Sequence, residues 1–163
     1  VLESSQFWRD QVRKIHSQYP DIVLNDMLAD NAAMQLVRDP RQFDVILTQN
    51  LFGDILTDEA SVISGSMGLM PSASVGADIG LYEPIHGSFP QAAGKNIANP
   101  LATVLSAAMM FEMSFGLQQE GDLIRKVVDQ SLVEGIVTED LVEVGAKAFK
   151  TSEVGDYLTS KIV

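Results

Sequence analysis

The sequence has 163 residues, of which 46% are apolar and 20% charged, a composition that excludes a disordered chain and is typical of a globular protein. Its formal net charge of −11 argues against nucleic acid and anionic membranes as partners, because a strongly negative surface repels both. The absence of cysteine excludes disulfides and thiolate metal sites and fits a cytoplasmic protein.

The first part of the chain predicts helices that alternate with strands. Helices are expected at residues 4–19, 30–38 and 51–64, the first of them capped by Ser4 or Ser5. Strands are expected at residues 21–27 and 43–48, which are rich in Ile, Val and Leu. This alternation indicates an α/β architecture.

The second part predicts a turn region at residues 65–80, a loop at residues 83–98 and then helices. Asn99-Pro100 is a strong helix start, with Gly116 as the matching end. Further helices are expected at residues 121–133 and after Thr151 or Ser152. Residues 97–117 form an apolar stretch about as long as a membrane span. Several polar side chains lie within it, however, and they favour a helix of the protein core. The domain boundary is placed near Gly65.

Two carboxylates in the predicted helix 51–64 are candidates for metal binding. Asp54 and Asp58 are four residues apart and therefore lie on one face of the helix, where their like charges repel unless a cation relieves them. Mg²⁺ or Mn²⁺ would suit such hard oxygen ligands. The alternative is that both acids are merely solvated near the helix start, and spacing alone favours that alternative. Asp30, taken alone, is most simply a helix N-cap.

His86, Gly87 and Ser88 lie in the predicted loop, where a glycine lets the backbone approach a ligand closely. A lone histidine of this kind is more often structural, and the loop lacks the G-x-G-x-x-G spacing of a Rossmann dinucleotide site. These residues alone therefore leave the role of the loop open.

Longer motifs resemble the isocitrate and isopropylmalate dehydrogenase family. Residues 50–60 (NLFGDILTDEA) and 65–69 (GSMGL) match its signature, and residues 70–74 (MPSAS) resemble the isopropylmalate branch more than the isocitrate branch. Residues 83–88 (EPIHGS) and 97–100 (IANP) are similar to the cofactor loop of the family. The resemblance covers essentially the whole chain and reverses the preference for solvated carboxylates at Asp54 and Asp58.

The resemblance implies a two-domain α/β fold that is not a Rossmann fold, with only its C-terminal half in this chain. Residues 1–64 would belong to the central, dimer-forming domain that carries the metal-site aspartates. Residues 65–163 would form the C-terminal half of the cofactor-binding domain. The family's catalytic lysine, tyrosine and substrate arginines are expected upstream of Val1, so no catalytic residue is assigned within the chain.

The resemblance also implies the site residues and the reaction. Asp54 and Asp58 would hold Mg²⁺ or Mn²⁺, and Asp30 would reach the same metal site from the other subunit of a homodimer. The cofactor NAD would contact five residues of the loop and its surroundings: His86, Gly87, Ser88, Gln91 and Asn99. The substrate would be a small 2-hydroxy dicarboxylic acid that is oxidised and decarboxylated, as in leucine biosynthesis.

Some alternatives stay open after the resemblance is taken into account. The activity could be that of an isocitrate, homoisocitrate, or tartrate and malate dehydrogenase of the same fold. The chain could also be a non-catalytic half that only dimerises or binds nucleotide. Gln91 stands where NAD-dependent members usually carry an aspartate that holds the adenosine ribose, which weakens the expected preference for NAD over NADP.

Overall fold

The computed structural model describes residues 2–162, which divide into two compact units that meet between Pro40 and Arg41. The first unit contains two helices, α1 (Glu3–His16) and α2 (Ala29–Arg38). In the first unit, α1 buries no side chain, whereas α2 buries Ala32 and Leu36.

The second unit contains four helices and one two-stranded sheet. The helices are α3 (Asn50–Ser64), α4 (Leu101–Phe115), α5 (Gln118–Glu134) and α6 (Thr151–Ile162). The strands are β1 (Pro71–Val75) and β2 (Gly80–Pro84). Single turns of 3₁₀ helix occur within this unit at Met67–Leu69, Pro90–Ala92 and Glu139–Leu141, and another spans the boundary between the units at Pro40–Gln42.

The core of the second unit lies among α4, α5 and α6. It is formed by five buried apolar side chains: Leu101, Val127, Val128, Val154 and Leu158. The strands β1 and β2 pair in antiparallel register, with Pro71 opposite Pro84 and Val75 opposite Gly80, and both strands pack on α4. Within residues 2–162, no helix is long and apolar enough to cross a membrane, and the apolar stretch near residue 100 forms α4, as predicted.

The two strands predicted at residues 21–27 and 43–48 are wrong for this structure. Both segments are irregular, and the β1–β2 pair is the only sheet in the part of the chain described. A strand requires a neighbour that accepts and donates backbone hydrogen bonds, and neither segment has one here. Their apolar side chains remain exposed, with Val23 at 84% and Val45 at 85% relative accessibility.

Several boundaries also differ from the prediction. The predicted turn region at residues 65–80 contains the strand β1, whose Ser-rich sequence hides the strand pattern. The helix α1 begins at Glu3, so Ser4 and Ser5 lie inside it and do not cap it. The predicted cap at Gly116 is confirmed by its left-handed φ of 66°. At the other end, the Asn99 side chain accepts a hydrogen bond from Leu101 N at 2.9 Å as a cap would, but Pro100 occupies the N-cap position because the helix begins at Leu101.

Candidate functional site

The helix α3 presents Asp54 and Asp58 on one exposed face. Its other side buries Leu56 and Ser61, with relative accessibilities of 6% and 1%, which fixes the orientation of the helix. The helix ends at Gly65, whose φ of 100° is a left-handed conformation that glycine adopts without strain.

Neither the Asp54 nor the Asp58 carboxylate has a hydrogen bond or an ion pair with another side chain in the described structure. The side-chain hydrogen bonds at these two residues go to their backbone carbonyl oxygens, from Thr57 Oγ1 at 3.0 Å and from Ser61 Oγ at 2.6 Å. Two neighbouring carboxylates without a cationic partner form a donor set that suits a hard divalent ion. The residues present therefore fit Mg²⁺ or Mn²⁺, although two side chains alone make an incomplete site.

Across residues 2–162, no group of three or more His, Cys, Asp or Glu side chains lies close enough to hold a metal ion. Asp30 belongs to the first unit, within the first turn of α2. Its interpretation as an N-cap is wrong: the helix begins at Ala29, and the Asp30 carboxylate accepts a hydrogen bond from Asn31 N at 2.8 Å. The exposed Asp30 is thus available to a ligand, and its role in a metal site stays a prediction.

The loop after β2 carries the first four predicted cofactor residues. The ring nitrogen Nδ1 of His86 lies 3.0 Å from Gly87 O, which leaves Nε2 without a protein partner in the part described. A Cβ atom at Gly87 would meet no other atom within 4 Å, so a ligand has access to the backbone there. Ser88 and Gln91 are exposed, and their side chains make no hydrogen bond to any described residue.

The same loop contains a strained residue. Phe89 is exposed and adopts a left-handed conformation with φ of 43° directly before Pro90. Such a backbone is unfavourable for a bulky side chain and persists only where its surroundings hold it. The buried Ala92, whose N donates to Phe89 O at 3.0 Å, supplies one such restraint.

Asn99, the fifth predicted cofactor residue, is held by Asp140. Its amide nitrogen donates to Asp140 Oδ2 at 2.9 Å, while its oxygen caps α4. Ser66 Oγ donates to the same Asp140 oxygen, and Thr138 Oγ1 donates to Oδ1 at 2.5 Å. Burial acts to raise the pKa of Asp140, but the hydrogen bonds from Ser66, Thr138 and Asn99 outweigh it and hold the pKa below its usual value.

The helix α3 and the loop after β2 contain the two motifs that resemble a known family. Residues 1–158 match the family model described as isocitrate/isopropylmalate dehydrogenase. The chain belongs to this family.

Two relatives within the family illustrate the similarity. The chain is 56% identical over 155 residues to the 3-isopropylmalate dehydrogenase of Shouchella clausii, covering 94% of this chain and 43% of the relative. It is 54% identical over 163 residues to the 3-isopropylmalate dehydrogenase of Carboxydothermus hydrogenoformans, covering 100% of this chain and 44% of that relative. The chain thus spans less than half the length of these family members.

Solved structures of the family share the fold. The isocitrate dehydrogenase from Methylococcus capsulatus superimposes with a TM-score of 0.91 at 36% identity, over 97% of this chain and 46% of that one. The β-decarboxylating dehydrogenase from Thermococcus kodakarensis, in its apo form, gives 0.84 at 40% identity over 99% of this chain and 46% of that one. The predicted fold class is therefore confirmed, as half of a larger α/β dehydrogenase.

The sequence analysis gave no role to Asp140 and noted Ser66 only as part of the motif at residues 65–69. These two residues are 74 positions apart, and Asp140 is 41 positions from Asn99, so no local pattern connects them. Within this family fold, the Asp140 carboxylate joins three separate segments at the start of α4. Only the folded chain reveals that connection.

Proposed function

We propose that the chain is the C-terminal half of a cytoplasmic, homodimeric 3-isopropylmalate dehydrogenase that acts in leucine biosynthesis. A hydride would pass from C2 of the substrate to NAD⁺ while the C2 hydroxyl loses its proton. The bond between C3 and its carboxylate would then break to release CO₂, leaving an enolate that takes up a proton, with both proton transfers left to the lysine and tyrosine expected upstream of Val1. The proposal rests on one observation above all: the exposed Asp54–Asp58 pair of α3 lies within a chain about 55% identical to several enzymes of that name.

Asp54 and Asp58, together with Asp30 of the partner subunit, would hold a divalent cation and orient it towards the substrate. Mg²⁺ or Mn²⁺ bound there would supply Lewis-acid stabilisation for the negative charge that develops on the substrate oxygen. The carboxylates contribute by fixing the position of the ion, because α3 is anchored by the buried Leu56 and Ser61. A third ligand from the partner subunit would complete the set and make the site depend on the dimer.

The loop at residues 85–99 would bind the adenosine end of NAD. Gly87 offers open backbone, and Ser88 and Gln91 offer unoccupied polar groups for the ribose and phosphate oxygens. His86 would present Nε2 to the cofactor, since Nδ1 lies against Gly87 O. NAD bound there would accept the hydride.

NADH formation by the complete enzyme tests this proposal. We expect turnover with 3-isopropylmalate, NAD⁺ and Mg²⁺ or Mn²⁺, and loss of turnover when EDTA removes the metal. Isocitrate, homoisocitrate, tartrate and malate serve as competing substrates, and preference for any of them would replace isopropylmalate in the proposal. Tight dimerisation without turnover on any of these acids would instead favour a non-catalytic half-chain.

A further inference from the structure

The N-terminus of α6 is joined to the end of the 85–99 loop by four hydrogen bonds. The Asn96 amide nitrogen donates to Ser152 Oγ at 2.8 Å, and the Asn96 amide oxygen accepts from Ser152 N at 3.0 Å. Thr151 N donates to Asn96 O at 3.0 Å, and Thr151 Oγ1 donates to Ala98 O at 2.6 Å. Since the first N–H groups of a helix lack partners within the helix, Asn96 caps α6 from a distant part of the chain.

Apart from these bonds, the loop is held by local turns, among them Lys95 N donating to Ala92 O at 3.0 Å, and by the bond from Asn99 to Asp140 at its end. Ala92 is its buried residue, and residues 93–98 are all exposed. Asn96 is left-handed with φ of 57°, a conformation that asparagine tolerates better than most residues but that still costs free energy. Among the described residues, the bonds to α6 are the hydrogen bonds that tie residues 93–98 to a distant part of the chain.

The helix α6 is a firm anchor for the loop. Val154 and Leu158 have relative accessibilities of 0% and 3% and belong to the core formed with α4 and α5. The helix start is reinforced by Glu153, which accepts a hydrogen bond from Lys150 N at 2.7 Å. A shift of the loop would thus require either breaking its bonds to α6 or moving a core helix.

We infer that Asn96, Thr151 and Ser152 are positioning residues for dinucleotide binding, through which α6 holds the 85–99 loop in its ligand-ready conformation. This inference rests on the proposed function of the loop as the adenosine site. A loop already held in place loses less conformational entropy when a ligand binds, so the bonds to α6 raise affinity for NAD. They do not touch the reacting atoms, and the turnover number of the saturated enzyme is therefore unaffected.

Two substitutions in the complete enzyme test the inference. Thr151→Val removes the hydroxyl that bonds Ala98 O while keeping the side-chain shape, and Asn96→Gly keeps the left-handed backbone while removing both bonds to Ser152. We expect Thr151→Val to raise the Kd for NAD about fivefold, the size expected for one lost hydrogen bond in a preorganised site, and Asn96→Gly to raise it at least as much because two bonds are lost. Thr151→Ser, which keeps the hydroxyl, should restore wild-type affinity, and kcat should be unchanged throughout.

Controls separate loop positioning from general destabilisation. Thr159→Val removes a hydroxyl from the same helix, where Thr159 Oγ1 donates only to Gly155 O, and should leave the Kd unchanged. Val128→Ala weakens the core beneath α6 and should lower Tm without raising the Kd. If Val128→Ala raised the Kd as much as Thr151→Val at a similar loss of Tm, positioning would be rejected.

Hydrogen exchange at the backbone amides of residues 86–98 provides a measurement that needs no ligand. Exchange should be faster in Thr151→Val and Asn96→Gly than in wild type or Thr159→Val. Unchanged exchange would overturn the inference whatever the enzyme's activity. The variants could exchange faster while the wild-type enzyme neither binds NAD nor forms NADH. That result would reject the proposed function and show that α6 orders a loop with another role.

Discussion

The helices α3 and α4 have the same length but opposite environments within the second unit. The 15-residue α4 buries Leu101, Ala102, Ser106 and Ala108, whereas the 15-residue α3 buries only Leu56 and Ser61. On α3, four large apolar side chains are at least 46% exposed: Leu51, Ile55, Val62 and Ile63. Since burying such a side chain is worth roughly 1.5–3 kcal/mol, α3 retains a large unused driving force for association.

This difference indicates that α4 packs within its own chain, whereas α3 is suited to pack against another protein surface. The core around α4 is formed with α5 and α6 of the same chain, although Met113 and Phe115 near the end of α4 are 53% and 59% exposed, while most of the apolar surface of α3 is open to another protein surface. The metal-site aspartates proposed above, Asp54 and Asp58, lie on α3 and not on α4. We therefore expect chemistry to depend on what covers α3, and the stability of the α4 region to be independent of it.

The largest effect is expected for the isolated 163-residue chain, which should show no dehydrogenase activity. The chain spans less than half the length of its relatives, and its residues are proposed to bind metal and cofactor, with none proposed to transfer protons. Metal-dependent NADH formation from 3-isopropylmalate is the measurement, with the complete enzyme as the positive control. Activity of the purified chain at a measurable fraction of the control would refute this expectation.

Charged substitutions on the exposed apolar faces should produce inactive monomers of the complete enzyme. Val37 on α2 and Ile63 on α3 have relative accessibilities of 64% and 46%, and Val37→Glu or Ile63→Glu would place a charge in the proposed dimer interface. Packing α2 and α3 against their symmetry mates would form a four-helix bundle. Sedimentation combined with NADH formation measures both consequences.

Val133→Glu is a matched control, because Val133 is 87% exposed near the end of α5, away from these helices in sequence. That variant should stay dimeric and active. The competing interpretation is that α2 and α3 cover a sheet within one polypeptide. An active, well-folded monomer of the wild-type enzyme would support that interpretation and remove Asp30 of the partner subunit from the site.

Neutralising either carboxylate on α3 should lower kcat at least about 100-fold in the complete enzyme, because a metal stabilises charge that develops in the transition state. Asp54→Asn and Asp58→Asn keep the shape of the side chain but provide a weaker ligand for a hard cation. Metal affinity, measured by titration with Mn²⁺, should fall together with the rate.

Asp129→Asn, at an exposed position on α5, is the control for the loss of a negative charge. It should retain normal turnover and metal affinity. If Asp54→Asn and Asp58→Asn behaved like this control, the two aspartates would be solvated helix residues without a metal.

In the α4 region, the Glu112–Arg125 ion pair should contribute to stability and to its pH dependence. Arg125 donates to both Glu112 oxygens, at 2.7 and 2.9 Å, and this hydrogen bonding holds the pKa of Glu112 below its usual value. The pair joins α4 to α5, and Glu112→Gln should lower the free energy of unfolding by about 1–2 kcal/mol at neutral pH, between the values for exposed and buried pairs.

The sign of the pH effect follows from the lowered pKa. The stabilisation by Glu112 is complete above the pKa of an unfolded glutamate and disappears as the pH falls through the lower folded pKa. Urea unfolding at several pH values should therefore show wild type and Glu112→Gln converging in acid. A difference that stays constant with pH would mean that packing and not charge is responsible, and Glu143→Gln in an exposed loop tests for a nonspecific charge effect.

The sequence predicted local features of the fold better than distant ones. The helices α1 to α6, the hydrogen bond of Asn99 at the start of α4 and the cap at Gly116 follow from short patterns. The strands at residues 21–27 and 43–48 failed because an apolar run specifies extended backbone but cannot supply a hydrogen-bonding neighbour.

The candidate site likewise has residues that a short motif identifies and hydrogen bonds that join distant parts of the sequence. Asp54 and Asp58 are recognisable from their four-residue spacing within a long motif. The bonds that fix Asn96 come from Ser152, 56 positions away, and the bonds to Asp140 span up to 74 positions. Hydroxyl and amide groups at such separations carry no pattern in a single sequence, so only the folded chain could reveal them.

The smallest expected effect concerns Gln91, an exposed residue of the 85–99 loop whose side chain has no protein partner among the described residues. If Gln91 lies against the adenosine ribose, Gln91→Asp should increase the preference for NAD over NADP several-fold, because its charge repels the 2′-phosphate. Gln91→Lys should shift preference towards NADP by a comparable factor, because it offers that phosphate a cation. Both effects would appear as changes in the ratio of kcat/KM for the two cofactors, and Lys95→Gln on the same exposed loop controls for a general charge effect. Equal ratios in wild type and both Gln91 variants would place this side chain away from the ribose, and the loop would then have to bind the adenosine through His86, Ser88 and the open backbone at Gly87.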